Sequence, residues 1–148
     1  MGKLRASAVF LLAVVPGCAS FEREWEAAGK SLGSEDALQG RWQGTWKSDV
    51  SGHTGSLRCI ITKEAGGHYR ANYHATYGWA LSFRYAVSMS VEMEGSASRF
   101  QGTADLGWLA GGEYHYEGTS TANQFTSTYR SKSDHGKFEM VRADAPKS

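Results

Sequence analysis

The chain has 148 residues, 41% of them apolar, with 16 Lys and Arg against 15 Asp and Glu, a formal net charge of +1, and two cysteines. A near-neutral balance with no clustered run of Lys or Arg excludes the electrostatic footprint that a nucleic-acid backbone demands, and two cysteines cannot build the disulfide framework of a small secreted scaffold. The length suits one domain large enough for a core of its own, undivided by low-complexity tracts or internal repeats.

The first element in chain order is an export signal. Lys3 and Arg5 precede an apolar run, Ala6 to Val15, that ends in Val15-Pro16-Gly17-Cys18. A run of about ten apolar residues is far too short to span a bilayer. With Val15 at the apolar first position and Gly17 before the cysteine, the segment resembles the lipobox of bacterial lipoproteins. That resemblance implies a signal peptide over residues 1–17 and a mature chain that starts at Cys18, lipidated with palmitate or a similar acyl group. Neutral Ala19 after the cysteine then implies sorting to the outer membrane, with the protein facing the periplasm. The alternative on the same residues is an ordinary secretory signal cut near Gly17 or Ala19, which leaves Cys18 a plain thiol. Of the 16 basic residues, Lys3 and Arg5 fall in the signal, leaving 14 against 15 acidic ones in a mature chain close to neutral.

Residues 18–39 read as anchor, short helix and linker. From Phe21 to Ala28 the spacing places Phe21, Trp25 and Ala28 on one helical face with charges opposite. That stripe suits either a membrane surface or, with its acidic polar face, packing under the domain that follows. Ser34-Glu35-Asp36-Ala37-Leu38 then carries the capping residue and early acids of a helical turn.

After Gly40 the period becomes two and stays two. Eight strands are expected, near Gly40 to Ser48, Gly55 to Thr62, His68 to Thr76, Leu81 to Glu92, Ser98 to Gly107, Glu113 to Ser120, Gln124 to Ser131 and Lys137 to Arg142, separated by glycine-bearing or Asn-bearing turns. One face collects Trp42, Trp46, Leu57, Cys59, Ile61, Tyr69, Ala71, Tyr73, Leu81, Phe83, Tyr85, Val87, Met89 and Val91. It continues with Phe100, Ala104, Leu106, Tyr114, Tyr116, Phe125, Tyr129, Phe138 and Met140. The other face, with Arg41, Arg58, Arg70, Arg84, Gln101, Glu117 and Lys137, reads as a solvated exterior. Short loops make neighbouring strands antiparallel, and eight strands with one dry face can close on themselves and abolish exposed edges. The predicted class is all-β, an eight-stranded antiparallel up-and-down barrel over residues 40–143 with a short N-terminal helix and a flexible tail at 144–148; a two-sheet sandwich is the alternative. Gly44, Gly102 and Gly118 mark points of sharp curvature. Cys59, in register with Leu57 and Ile61, reads as a small buried apolar residue.

Gly40-Arg41-Trp42, opening the first strand after a helical turn, resembles the Gly-x-Trp start of lipocalins and other calycins. In that superfamily a basic residue of the last strand packs on the tryptophan, and Arg142 is similarly placed. The resemblance implies a structural signature of Gly40, Trp42 and Arg142, with a guanidinium–indole contact of roughly 0.5–2 kcal/mol at the closed end. The strands and loops are shorter than in typical lipocalins and no long first loop is present, which limits the pocket the resemblance implies.

Up-and-down connectivity gathers Ser48 to Thr54, Tyr77 to Ala80, Trp108 to Gly112 and Lys132 to Gly136 at the other end, the mouth. Asp49, His53, Asp134 and His135 meet there and are the only weak candidates for a metal; the plainer reading is that the acids satisfy loop backbone groups and the histidines sit in solvent. No oxyanion element or activated nucleophile is evident, so no catalytic residue is assigned and the chain is expected not to be an enzyme. No cofactor is implied: His68, His74 and His115 fall on the outward face and offer haem no internal ligand. The inward tyrosines each need a hydroxyl partner, since a buried unpaired one costs about 1–3 kcal/mol. Trp46, Tyr73, Phe83, Tyr85, Tyr114 and Tyr129, with Trp79 and Trp108 on the mouth loops, are the candidate binding residues for a small hydrophobic or aromatic ligand. In the alternative the same rings fill the barrel, leaving a structural or protein- or glycan-binding envelope module.

Overall fold

The computed structural model describes residues 17–31 and 36–144. The segment 1–16, the capping pair Ser34 and Glu35, the tail 145–148 and the side chain of Cys18 lie outside the described residues. A helix, α1 (Gly17–Lys30), precedes β1 (Gly40–Ser48), β2 (Thr54–Lys63), β3 (Tyr69–Tyr77), β4 (Leu81–Glu94), β5 (Ala97–Asp105), β6 (Glu113–Ser120), β7 (Gln124–Arg130) and β8 (His135–Arg142). Every strand pairs antiparallel with the next, and β1 closes on β8 from Trp42↔Arg142 to Ser48↔Gly136. The sheet is therefore a closed eight-stranded barrel and not a sandwich. Among the described residues no helix is long and apolar enough to cross a membrane.

Alternation places the dry face inside. In the closed half, Phe100 stacks on Phe125 at 4.6 Å and Phe125 meets Trp42 at 5.6 Å, with Met89, Met140 and Leu38 filling the gaps. Close strand approach needs the glycines: a β-carbon on Gly44 would lie 1.9 Å from the Glu139 carbonyl oxygen, and one on Gly118 would lie 2.1 Å from that of Thr126.

The closed end is stitched shut by the linker. Trp42 is completely buried and its indole N–H donates to the Leu38 carbonyl at 2.9 Å. The Arg142 guanidinium stands 4.2 Å from the centre of the indole and donates to the carbonyls of Gln39 at 2.6 Å, Ala122 at 2.8 Å and Ala37. Asp36 accepts from the backbone of Leu38 and Gln39 and, at 2.5 Å, from the Tyr69 hydroxyl. Burial opposes ionisation of Asp36, yet these bonds outweigh it and hold its carboxyl below the usual range. Burial, with Asp36 beside it, pushes the Tyr69 phenol up to about 12.

The helix does not sit under the barrel. It crosses the outer wall of β1 to β4, because that wall offers cations matched to its acids and rings. Arg58 pairs with Glu22, Arg84 pairs with Glu24 at 2.6 Å, and Phe21 and Trp25 lie against the guanidinium groups of Arg41, Arg58 and Arg84. Of these arginines, expected on a solvated exterior, Arg41 and Arg58 are partly covered, and the side chain of Arg84 is 29% exposed. Asp144, expected in a loose tail, pairs with Arg41.

His74 also faces outward but is only 8% exposed, its ring stacked 4.9 Å from Phe21. Its Nε2 has no hydrogen-bond partner among the described residues. Burial, then Arg58, lowers its pKa; Arg84 acts the same way and Glu22 opposes them. The unfolded chain therefore takes up a proton first as pH falls below about 6.5, and stability falls with it. Glu22, held low by the Arg58 hydrogen bond, and Asp36 withdraw stability only in the carboxylate range. Chemical unfolding at stepped pH should show a decline that starts near pH 6.5, flattened by His74→Gln, with the lower-pH fall retained in both proteins. A wild-type profile level from neutrality down to the carboxylate range would contradict this account.

Candidate functional site

The wall is incomplete at the mouth. β4 pairs with β5 only from Ser88↔Thr103 to Glu94↔Ala97, so Leu81 to Val87 have β3 on one side and no strand on the other. The cause lies in β5, which ends at Asp105. There the Asp105 carboxylate accepts from the Gly107 N–H at 2.9 Å, Gly107 takes φ +80°, and a short turn, Trp108–Ala110, carries the chain away from β4.

Behind this slit lies a cavity of about 1030 Å³, open to solvent. Its floor is a layer of rings, Tyr85, Tyr116 and Phe138, packed on the buried Tyr73: Tyr73 lies 5.2 Å from Tyr85 and 5.4 Å from Phe138, and Phe138 is 5.9 Å from Tyr116. Trp46, Phe83, Leu106, Leu109, Tyr114 and Tyr129 form the walls. The Trp46 indole N–H is satisfied by the Thr76 carbonyl at 2.9 Å, a reach across β2 that Gly55 permits, since a β-carbon there would strike that carbonyl. Gly111, at φ +96°, adopts a backbone conformation disfavoured for other residues, and a β-carbon there would press on the Tyr114 hydroxyl at 2.7 Å.

One wall is polar. Asp134 accepts from the Ser48 hydroxyl at 2.6 Å and from the Tyr129 hydroxyl at 3.2 Å. Tyr85 bonds to Tyr116, and the deeper Tyr73 to the Cys59 thiol. Burial pushes the phenols of Tyr85, Tyr116 and Tyr129 up, so they stay neutral and act as hydrogen-bonding groups near pH 7, not as bases. Burial likewise pushes the Cys59 thiol well up, which suits packing and not reactivity. The arrangement can hold a flat or amphipathic molecule against rings with one polar corner.

Of the residues read from sequence, Trp46, Phe83, Tyr85, Tyr114 and Tyr129 come together around this cavity. Tyr73 does not line it; it lies one layer down, almost completely buried. Trp79 and Trp108 also do not line it: they stand on loop tips, 99% and 85% exposed. Leu81 and Phe83, expected inside, are each 55% exposed because the pairing of β5 with β4 stops at Thr103 and leaves them uncovered. Sequence reasoning missed Tyr116 and Asp134 as lining groups. The inward parity that Tyr116 shares with Tyr114 was the available signal for the first.

Asp49, His53, Asp134 and His135 do gather near the mouth. Their engagements differ: His53 stacks on Tyr77 at 4.7 Å, Asp134 serves Ser48 and Tyr129, and the Asp49 N–H donates to the His135 carbonyl at 2.8 Å. Among the described residues no group of three or more His, Cys, Asp or Glu is placed to hold a metal.

A second concavity, about 800 Å³, runs along the outer wall and is lined by solvated strand residues such as Ser90, Gln101, Glu117 and Thr128. Tyr116 and Tyr129 border it too, but Trp46, Phe83, Tyr85, Tyr114 and Phe138, which surround the mouth cavity, do not. No family model, curated protein or solved structure matches this chain.

Proposed function

We propose that this protein binds a small hydrophobic or aromatic molecule at the open end of the barrel, without chemistry of its own, and does so as a lipid-anchored component of a bacterial envelope. The single observation that carries the binding reading is the mouth-connected cavity of about 1030 Å³, floored and walled by rings. Buried aromatic residues fill the lower barrel, so the cavity is a gap above a solid core and not slack packing. Two further features support kinship with calycins: the Trp42–Arg142 stack and the up-and-down closure. The anchor reading rests on Val15-Pro16-Gly17-Cys18.

Titration with the dye phenylnaphthylamine tests the pocket. The wild-type chain should raise its fluorescence saturably. Removing one ring contact costs about 0.5–1.5 kcal/mol, so Phe83→Ala, at an exposed position that spares the core, should weaken the dye by about two- to tenfold. Tyr114→Ala should add to the loss. Non-saturating enhancement, or equal affinity in the double variant, would remove the proposal.

A further inference from the structure

Exposed apolar side chains are not spread evenly over this barrel. Among the described residues, all the large ones except Met93 and Val141 stand at the open end: Val50, Trp79, Leu81, Phe83, Trp108 and Leu109. Leu109 is 82% exposed beside its nearly bare indole neighbour. No charged residue occurs from Tyr77 to Phe83 or from Leu106 to Gly112, so two adjoining mouth loops present an uncharged, aromatic-tipped lip. A soluble loop tip ordinarily carries polar groups, and a concentrated apolar patch marks an interaction site.

The path of α1 indicates what covers that lip. The helix runs obliquely from Arg41, near the closed end, where Trp25 and Gly29 lie, to Arg84, near the mouth, which holds Ser20 and Glu24. Arg84 adjoins Phe83 in β4 and borders the slit. The N-terminus of α1, which opens Gly17-Cys18, is thus delivered to the lip, and the apolar run Ala6 to Val15 precedes it in the sequence. A membrane-embedded group attached there brings a bilayer to this end of the barrel. One acyl signal alone binds membranes marginally, and a second apolar contact makes the attachment firm. Indole rings favour the level of the lipid headgroups.

We infer that the open end docks on a lipid bilayer, with Trp79, Trp108 and Leu109 seated at the headgroup level and the slit of the cavity turned toward the lipid. The inference rests on the lipid-anchored part of the proposed function; it does not depend on the pocket being filled.

The test uses full-length protein purified from membranes and reconstituted in phosphatidylethanolamine/phosphatidylglycerol vesicles whose acyl chains carry bromine near the glycerol. Wild-type tryptophan emission should be blue-shifted and quenched by the brominated lipid. Trp79→Ser/Trp108→Ser should lose most of both effects at an unchanged melting temperature, because Trp42 is completely buried, Trp25 is half-buried on the outer wall against Arg41 and Arg58, and Trp46 is half-buried and held by the Thr76 carbonyl. Equal quenching in the two proteins, or hydrated emission from the wild type on vesicles, would overturn the docking. So would a dimer in solution that the double variant abolishes, which would give the lip to a second copy. Intact mass separates the two readings: an acylated chain without quenching sinks the docking and keeps the anchor, whereas a non-acylated chain that is still quenched keeps the docking and sinks the anchor.

Discussion

Trp42→Ala should lower folding stability by about 3–5 kcal/mol, the cost of truncating a large ring at a site that cannot collapse. Its surroundings explain why relaxation is limited. The indole is completely buried, packed on Phe125, hydrogen-bonded to the Leu38 carbonyl and covered by Arg142, so its loss opens a cavity bounded by strand backbone and a stitched linker. Arg142 would then sit half-buried over a void, with burial already working against its charge. A domain has only about 5–15 kcal/mol in total, so one substitution removes a large share. Urea unfolding monitored by far-ultraviolet circular dichroism should show the midpoint falling steeply with the slope retained. Arg142→Met should cost less, and the pair should couple by about 0.5–2 kcal/mol in a double-mutant cycle. An unchanged Trp42→Ala midpoint would mean that the closed end is not what holds the barrel shut.

The strands were legible because a wall with water on one face and rings on the other imposes a period of two, and short loops leave a single pairing order. β1 and β6 begin and end where the pattern places them, and Arg142 lies opposite Trp42 as the resemblance implies. Two features were hidden for physical reasons. Arg58 and Arg84 alternate outward whether water or a helix covers them, so the pattern is blind to the docking of α1. Leu81 and Phe83 keep inward parity whether or not β5 extends far enough to cover them, and where β5 leaves the sheet depends on the Asp105-Leu106-Gly107 turn, not on β4. The site was readable in part: parity identified inward rings, but depth along the barrel depends on register. That is why Tyr73 proved to lie a layer below the cavity while Tyr116 forms its floor.

Phe21→Ala should release α1 from the outer wall and leave the barrel folded. The ring is completely buried, set 4.9 Å from His74 and 5.9 Å from Trp25, with the guanidinium carbons of Arg58 and Arg84 at 5.1 and 5.6 Å. Truncating a buried phenylalanine costs about 3–5 kcal/mol. What remains to hold the helix is chiefly Trp25 with two ion pairs, Arg58–Glu22 and Arg84–Glu24, and exposed pairs contribute about 0–1 kcal/mol each. The core around Phe100 and Phe125 lies on the far side of the sheet and loses no contact, so the opening is local. Native-state amide exchange should show protection lost across α1 and kept in β1 to β8. Water would then reach Nε2 of His74, its pKa would return toward the ordinary histidine value, and the decline in stability below about pH 6.5 would disappear along with the helix contacts. Unchanged protection in α1 would show that the charge pairs suffice to dock it; protection lost equally in the strands would show that helix and barrel unfold as one unit.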